Sequence, residues 1–540
     1  MAWTRAALAL VAAVAVGLVL VSGGSVADPR TPAALPGLPP PFLGTAVAGG
    51  GGLTAAIDAY GDVVDLRVPG PAGRGLIDNT AARQAAGSVP ADTGIVPRVS
   101  WTSSKDLGGY GDSNPSSNSG EPLWRADSVA QRYLPGTNVV RTVARFGSVR
   151  VAVVYAADEG RLACLTSVRA PRGAHARVSV AVADPQEAAR MRCDDRAARG
   201  IVHVAVRADR HWLSRARPLG AGAPAWAERM YRRSLLTLRA LTDARTGAVA
   251  AGARDGWAYV WPRDASTAAL AYAGAGYRPE ARRVARFLLG LDLGAAARFH
   301  GDDGAPVPGR AAQGDAAGWV ALATRTADLP PPRVPQPGRD SADYQEGAAG
   351  RYVGNAIASL GAVRDPRSPR LGPSPTRRRR ETRLKSEFVT GAGIMREPDA
   401  RAGLDSAAAW AVRPFALPPL YPPARRTLLH LAGAGASGPP ASRFGITPSE
   451  HWPGIDPWTA PTAWSAWSLA ALAARERAHP TAARRDRGVA LALLADLRRA
   501  ATPAGSLPER VDAHTGVPTS TTPLTWSHAF AILTLRQLWP

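Results

Sequence analysis

Metal-binding and redox chemistry find little material in this chain. Of 540 residues only Cys164 and Cys193 are cysteines, and no CxxC pair occurs. Their spacing is unlike that of a thiolate metal site. A GxxxxGK[ST] loop, a GxSxG elbow and an HExxH helix are all missing. Their absence argues against P-loop phosphoryl transfer, an α/β-hydrolase nucleophile and zincin hydrolysis. No metal site and no organic cofactor is expected. Lysine is almost absent too, so the formal net charge of +22 rests on arginine. A strongly basic chain fits a nucleic-acid or anionic-polymer partner, or a compositional bias toward Arg with charges scattered over the surface. The arginines are spread along the whole chain, and only Arg377 to Arg380 cluster. The scattered reading is preferred, no nucleic-acid partner is expected, and the cluster is assigned to a solvated loop.

Long apolar runs are also lacking, with one exception. Ala6 to Val21 is unbroken, follows Arg5, and precedes the small residues Ser25-Val26-Ala27. This is the pattern of a secretory signal peptide over 1–27. The run falls short of the ~20 residues of a membrane span. No membrane association is expected unless the segment stays as an uncleaved anchor. A secreted or envelope-exported protein follows, which permits a Cys164–Cys193 disulfide. A pair of buried thiols is equally open, and either role is structural.

What the chain does have is two kinds of pattern. Its length exceeds one core, so two domains are expected. Residues 28–43 are Pro-rich and read as a lead-in. From 44 to 215 short apolar runs alternate with period two between Gly, Asp, Asn and Pro. The runs Leu53–Arg67, Val149–Tyr155, Ala176–Val182 and Ile201–Arg207 read as strands, and together as a β-sandwich. From 225 to 540 the apolar spacing turns helical. Runs are expected at 226–243, 264–275, 278–292, 316–327, 346–362, 404–412, 424–434, 461–477, 481–500 and 526–538. No fixed-length repeat stands out.

Two segments carry chemistry. Leu507-Pro-Glu-Arg is followed by a turn-rich stretch and Thr525-Trp-Ser-His528, and Gly256-Trp-Ala-Tyr-Val-Trp-Pro-Arg-Asp264 lies far upstream. Carboxylates beside indoles suit a sugar, whose rings stack on aromatics and whose hydroxyls need paired polar partners. Both segments resemble glycoside hydrolase family 15, the glucoamylase-like and glucodextranase-like enzymes. That resemblance implies a β-sandwich followed by an all-α (α/α)6 barrel, with the active site in loops at one barrel end. It implies Glu509 as general base, and Arg263 and Asp264 binding the terminal sugar with Trp257 and Trp261 shaping its pocket.

Glycoside hydrolysis needs a second carboxyl group. Asp340-Ser-Ala-Asp-Tyr-Gln-Glu346 resembles the family's acid segment, which makes Glu346 the general acid and Asp343 its neighbour. Gln345 stands where tryptophan is usual, and Gly347 where some members carry a second acidic residue. Read without the family, Asp343 would cap a helix and Glu346 would complement its dipole. Asp264 likewise suits a helix N-cap, and Arg263 a structural salt bridge. Gln313-Gly-Asp315 resembles a pocket loop of the family, with Asp315 and Trp319 as candidates against a cap and a core residue. Trp452 and Trp458 are candidate pocket walls, while Trp464 and Trp467 read as core. His528 reads as a structural histidine.

The implied function is an exported, inverting, exo-acting α-glucosidase releasing glucose from an oligo- or polysaccharide α-glucan. A trehalase or a dextran-type α-1,6-glucosidase stays open, because loops near the leaving group set linkage. A phosphorylase on a similar plan and a catalytically degenerate carbohydrate-binding envelope protein stay open as well. The sequence leaves the oligomeric state open.

Overall fold

The computed structural model of the protein describes residues 34–540 except 51, 89–93, 102–119, 173–174, 183–188, 255, 333–339, 363–374, 435–441 and 477. The expected signal peptide and the start of the lead-in lie outside the described residues. No helix among them is long and apolar enough to cross a membrane.

Period-two alternation produces strands where it was expected. β1 (Gly44–Gly50), β2 (Leu53–Asp58), β3 (Val63–Val68), β5 (Ile95–Trp101) and β11 (Ala176–Val182) form one sheet in that order. β4 (Arg74–Asp78) pairs with β3, and β6 (Glu121–Pro122) with β5. The second sheet runs β12 (Met191–Cys193), β10 (Arg161–Arg169), β9 (Val149–Asp158), β8 (Val140–Phe146), β7 (Ser128–Tyr133). Leu53, Ile57, Leu66 and Val99 of the first sheet meet Val140, Phe146, Val151 and Tyr155 of the second in one core. Cys164 and Cys193 form a disulfide that joins β10 to its parallel neighbour β12.

Ile201–Arg207 is not a strand. It lies within helix α1, Arg196–Ser214, whose N-cap Asp195 accepts the Ala198 N–H at 2.6 Å. The run alternates apolar residues, but it also fits a helix. Ile201, Val202, Ala205 and Val206 recur every three to four residues and pack on Val139, just before β8, and on Ala156 of the second sheet. Where both periods fit, the cap and the length of the segment select the helix.

Helices then dominate. α2 (Ala225–Ala240), α3 (Pro262–Gly274), α4 (Arg278–Leu289), α5 (Ala316–Thr326) and α6 (Val353–Ala362) come first. α7 (Pro375–Phe388), α8 (Tyr421–Leu431), α9 (Thr459–Arg475), α10 (Pro480–Ala500) and α11 (Thr525–Leu538) follow. A 3-10 segment, Ser406–Ala411, takes the place of the helix expected at 404–412. Six elements form a closed ring: α3 packs on α5, α5 on α6, α6 on the 3-10 segment, that on α9, α9 on α11, and α11 back on α3. The others lie outside it, α2 on α11, α4 on α3 and α5, α7 on α6, α8 on α9 and α10 on α9. Residues 459–472 of α9 are buried all round, as an enclosed helix requires.

Two further expectations change. The helix expected from 346 begins only at Val353, after a loop with glycines at 347 and 350. Arg377–Arg380 are helical, not loop, since they open α7, where Arg377 pairs with Glu381 at 2.8 Å. Such i,i+4 pairs support an exposed helix.

α1 joins the two parts. Its Asp209 pairs with Arg239 of α2 at 2.8 Å. Its Trp212 stacks on Tyr277 with centroids 4.0 Å apart. Closeness inside the ring is set by small residues. A Cβ on Gly318 of α5 would stand 2.1 Å from the Ala358 carbonyl of α6. Gly318→Ala must push two helices apart, and overpacking of this kind costs about 1–3 kcal/mol. A lowered unfolding midpoint in thermal and denaturant melts is expected, and an unchanged midpoint would refute so close an approach.

Candidate active site

The ring elements present their N-terminal ends to one shared region, and the chemistry gathers there. Trp261 is the N-cap of α3, Asp315 of α5, Asp405 of the 3-10 segment and Trp458 of α9. Unpaired N–H groups and the helix dipole favour acidic side chains at such ends. Pro262 opens α3, where a missing N–H costs nothing. The next two residues, Arg263 and Asp264, are thereby set on the first turn.

Trp257, Trp261, Arg263, Asp264, Glu346, Trp458 and Glu509 line a single pocket together with Tyr344, Gln345 and Trp526. Its free volume is about 60 Å³. Larger cavities lie between β-sheet and α2, at about 220 Å³, and between α6 and α7, at about 330 Å³. The α6–α7 cavity has one carboxylate, Glu387, bound to Arg351 and Arg383. In the cavity against α2, Glu280 is tied to Trp212 and Arg215.

Glu346 and Glu509 reach the pocket from separate loops. Glu346 sits at φ 58, a left-handed conformation unusual for a glutamate. Strain of this kind costs of order 1–3 kcal/mol and is often found at functional sites. Its Oε1 accepts from Trp261 Nε1 at 3.0 Å and from Gln313 Nε2 at 3.3 Å. Its other oxygen is ion-paired with Arg310. Glu509 is positioned by backbone bonds on both sides: its N–H donates to Thr521 O at 2.9 Å, and its carbonyl accepts from Thr459 N–H at 3.0 Å. Its carboxylate accepts from Ser520 Oγ and lies 3.8 Å from Arg510 Nε.

Arg263 forms the floor. It is buried, and donates to Gln313 Oε1 at 2.7 Å and Asp315 Oδ2 at 2.9 Å. It stands 3.7 Å from Asp264 and lies over the Trp526 ring. Burial raises the Asp264 carboxyl to about 7, against the pull of Arg263 and with the push of Asp315 and Glu509. The indole N–H groups of Trp458 and Trp526 have no protein partner among the described residues, which leaves two donors beside the pocket.

Three expected residues stand behind the wall. Asp315 is fully buried and serves Arg263. Asp343 is buried and accepts from Arg396 at 3.2 Å. Trp452 meets Trp458 edge-on at 5.0 Å. Glu346 is not at a helix start, since six residues separate it from Val353, and Asp343 caps no helix. Trp319 and Trp464 belong to the core, where both touch Trp410 and Phe530. His528 is structural. Its ring accepts the Leu507 N–H and contacts Ser234 Oγ, and burial holds it neutral. Gln345 gives its amide to Tyr344 Oη at 3.0 Å and Asp405 Oδ2 at 3.2 Å. Burial raises Asp405 to about 7. Arg310, Arg396 and Asp405 carried no sequence signal. In an arginine-rich chain nothing distinguishes two arginines from the rest, and Asp405 belongs to no recognised segment.

The raised Asp264 has a measurable consequence. Between its ordinary value of 3.8 and about 7 the folded state binds the extra proton, so stability falls as pH rises through that window. Above it the penalty is constant. Asp264→Asn removes the penalty, so the variant should gain stability over the parent at pH 8 relative to pH 4, on the order of 1–4 kcal/mol. Denaturant titrations at both pH values test this, and an equal difference at both would refute it.

Residues 225–291 match the family model for glycosyl hydrolases family 15. Among solved structures, a bacterial glucoamylase complexed with acarbose aligns with 96% of this chain and 96% of its own, at TM-score 0.63 and 13% identity. The glucoamylase from Saccharomycopsis fibuligera aligns with 60% of this chain and 97% of its own, at 0.45 and 15%. That of Hormoconis resinae aligns with 58% and 73%, at 0.46 and 15%. The last two superpose too loosely to add to the first. No curated protein matches the sequence significantly. The family model thus matches the segment from α2 to α4, and the glucoamylase fold extends over nearly the whole length of the chain.

Proposed function

We propose that the chain is an exported, inverting exo-α-glucosidase acting on the non-reducing ends of an α-glucan. In this reading residues 225–540 form an (α/α)6 barrel, with the closed ring as its inner layer and the β-sandwich of 44–215 bracing it. The supporting observation is one pocket in which Glu346 and Glu509, from separate loops, share walls with Trp261, Arg263 and Asp264.

The mechanism follows from the placement. The terminal glucose enters with its hydroxyls toward Arg263 and Asp264, which donate and accept as a hydroxyl requires. Glu346 protonates the glycosidic oxygen as the bond breaks. Glu509 takes a proton from water, whose oxygen attacks C1 from the opposite face. Ser520 and the two backbone bonds hold Glu509 in place, so little reorganisation accompanies the step. Inverting enzymes keep the two carboxyl groups roughly 6.5–9.5 Å apart to admit that water.

Glu509→Gln should lower kcat by about 10²–10⁴-fold while glucose binding persists. Steady-state rates and calorimetric titration with glucose test this, and near-parental turnover would assign the base elsewhere. Arg263→Ala should raise KM for maltose, isomaltose and trehalose alike, because the group faces the glucose common to all three. A loss confined to one linkage would move Arg263 to the leaving-group side.

A further inference from the structure

Among the described residues, Glu346 meets only donors. Trp261 Nε1, Gln313 Nε2 and the Arg310 guanidinium all point hydrogens at its carboxylate. Hydrogen bonds and positive charge of this kind favour the ionised form. A general acid must carry a proton when the leaving oxygen departs, so Arg310 opposes the role assigned to Glu346.

A second arginine makes the imbalance larger. Arg298 lies over the rings of Tyr259 and Trp261, at 4.8 and 5.8 Å, and Arg310 lies over Trp261 at 5.8 Å. Arg298 gives its hydrogen bonds to the carbonyls of Gly256 and Pro308, and has no ion pair among the described residues. Burial, and then repulsion by Arg298, lower the pKa of Arg310, while the Glu509 carboxylate pulls it back up. Of the two, only Arg310 is ion-paired with Glu346 among the described residues. Once Glu346 takes up a proton, Arg310 keeps only Glu509, which lies beyond ion-pair distance, as a counter-charge, and Arg298 gains none. The neighbouring position adds no negative charge. Gly347 stands where some family members carry an acid, and a Cβ there would be 3.4 Å from Arg396.

The geometry points to a seat for an oxyanion, formed by Arg298 and Arg310 on the leaving-group side of Glu346. The inference rests on the reading of Glu346 as the acid. The anion is a carboxylate or phosphate, brought on the leaving group or as a free ion. It replaces Glu346 as the partner of Arg310. Glu346, protonated from solvent, then gives that proton to the glycosidic oxygen as the C1–O bond breaks. Water bonds to C1 and loses a proton to Glu509. Glucose and the alcohol of the leaving group are released, with no other reactant consumed.

The test uses the full chain and matched substrates: maltose against maltobionate, and trehalose against trehalose 6-phosphate. A third arm follows maltose with added inorganic phosphate. At low salt, the charged member of a cleaved pair should be preferred at least about tenfold in kcat/KM, the scale of a charge-assisted bond, and salt should erode the preference. Stimulation of maltose cleavage by phosphate alone assigns the seat to a free ion instead. Arg298→Gln and Arg310→Gln should remove either effect, and Arg310→Lys should keep most of it. With maltose, Arg310→Gln should also move the alkaline limb of the pH profile upward. Folding of each variant is checked by circular dichroism. Cleavage of the neutral sugars with no anion effect overturns the seat and leaves the glycosidase reading standing. An anion effect that survives in both folded Gln variants also overturns it. Failure to cleave any of the four sugars, or isomaltose, overturns both.

Discussion

One buried guanidinium ties the pocket together. Arg263 starts on the first turn of α3, bonds the cap of α5 through Asp315, reaches Gln313 before that cap, and lies on Trp526 at the start of α11. Three ring elements are therefore registered by one charge. A buried cation is tolerated only with its partners in place, and leaving it unpaired costs about 3–5 kcal/mol. The same pairing fixes where Asp264 faces. The shape of the pocket floor and closure of the ring depend on a common set of bonds, so the floor is held by the same contacts as the core beneath it.

In and behind the pocket wall stand acids that burial disfavours. Asp264 and Asp405 are both raised to about 7, and Asp343 is raised as well, with desolvation the largest cause each time. Arginines offset part of the cost: Arg263 for Asp264, and Arg396 for Asp343 and Asp405. The upper rim is the reverse, with Arg310 paired to Glu346 and Arg298 beside it over Trp261. Charge thus changes sign from floor to mouth over a few side chains.

Much of this was legible in the sequence for physical reasons. Apolar spacing near 3.6 marks α3, α4, α9, α10 and α11 because each buries a face, and those helices begin within three residues of expectation. Trp257, Trp261, Arg263, Asp264 and Glu509 were recognisable because turn and indole chemistry sits contiguously around them. The segment from Ile201 failed because its pattern satisfies both periods, and only the Asp195 cap decides between them. The start of α6 failed because an acidic run resembles a helix opening, whereas Glu346 adopts φ 58 and the glycines at 347 and 350 delay the helix to Val353. Arg310 was invisible because its meaning lies in a contact across 36 residues of chain with Glu346.

The ring closes between its first and last members, α3 and α11. Contacts so distant in sequence form late, since the intervening chain must be ordered before they hold. During synthesis, the sandwich and most of the helices can emerge while the ring still gapes. The loop of Glu509 and the indole of Trp526 come almost at the end of that sequence of events. Until Leu538 has been made and docked, Arg263 lacks its aromatic cover and the pocket has no wall on that side. Completion of the pocket is therefore an all-or-none attribute of the ring, acquired in a single late event and not accumulated as the helices appear.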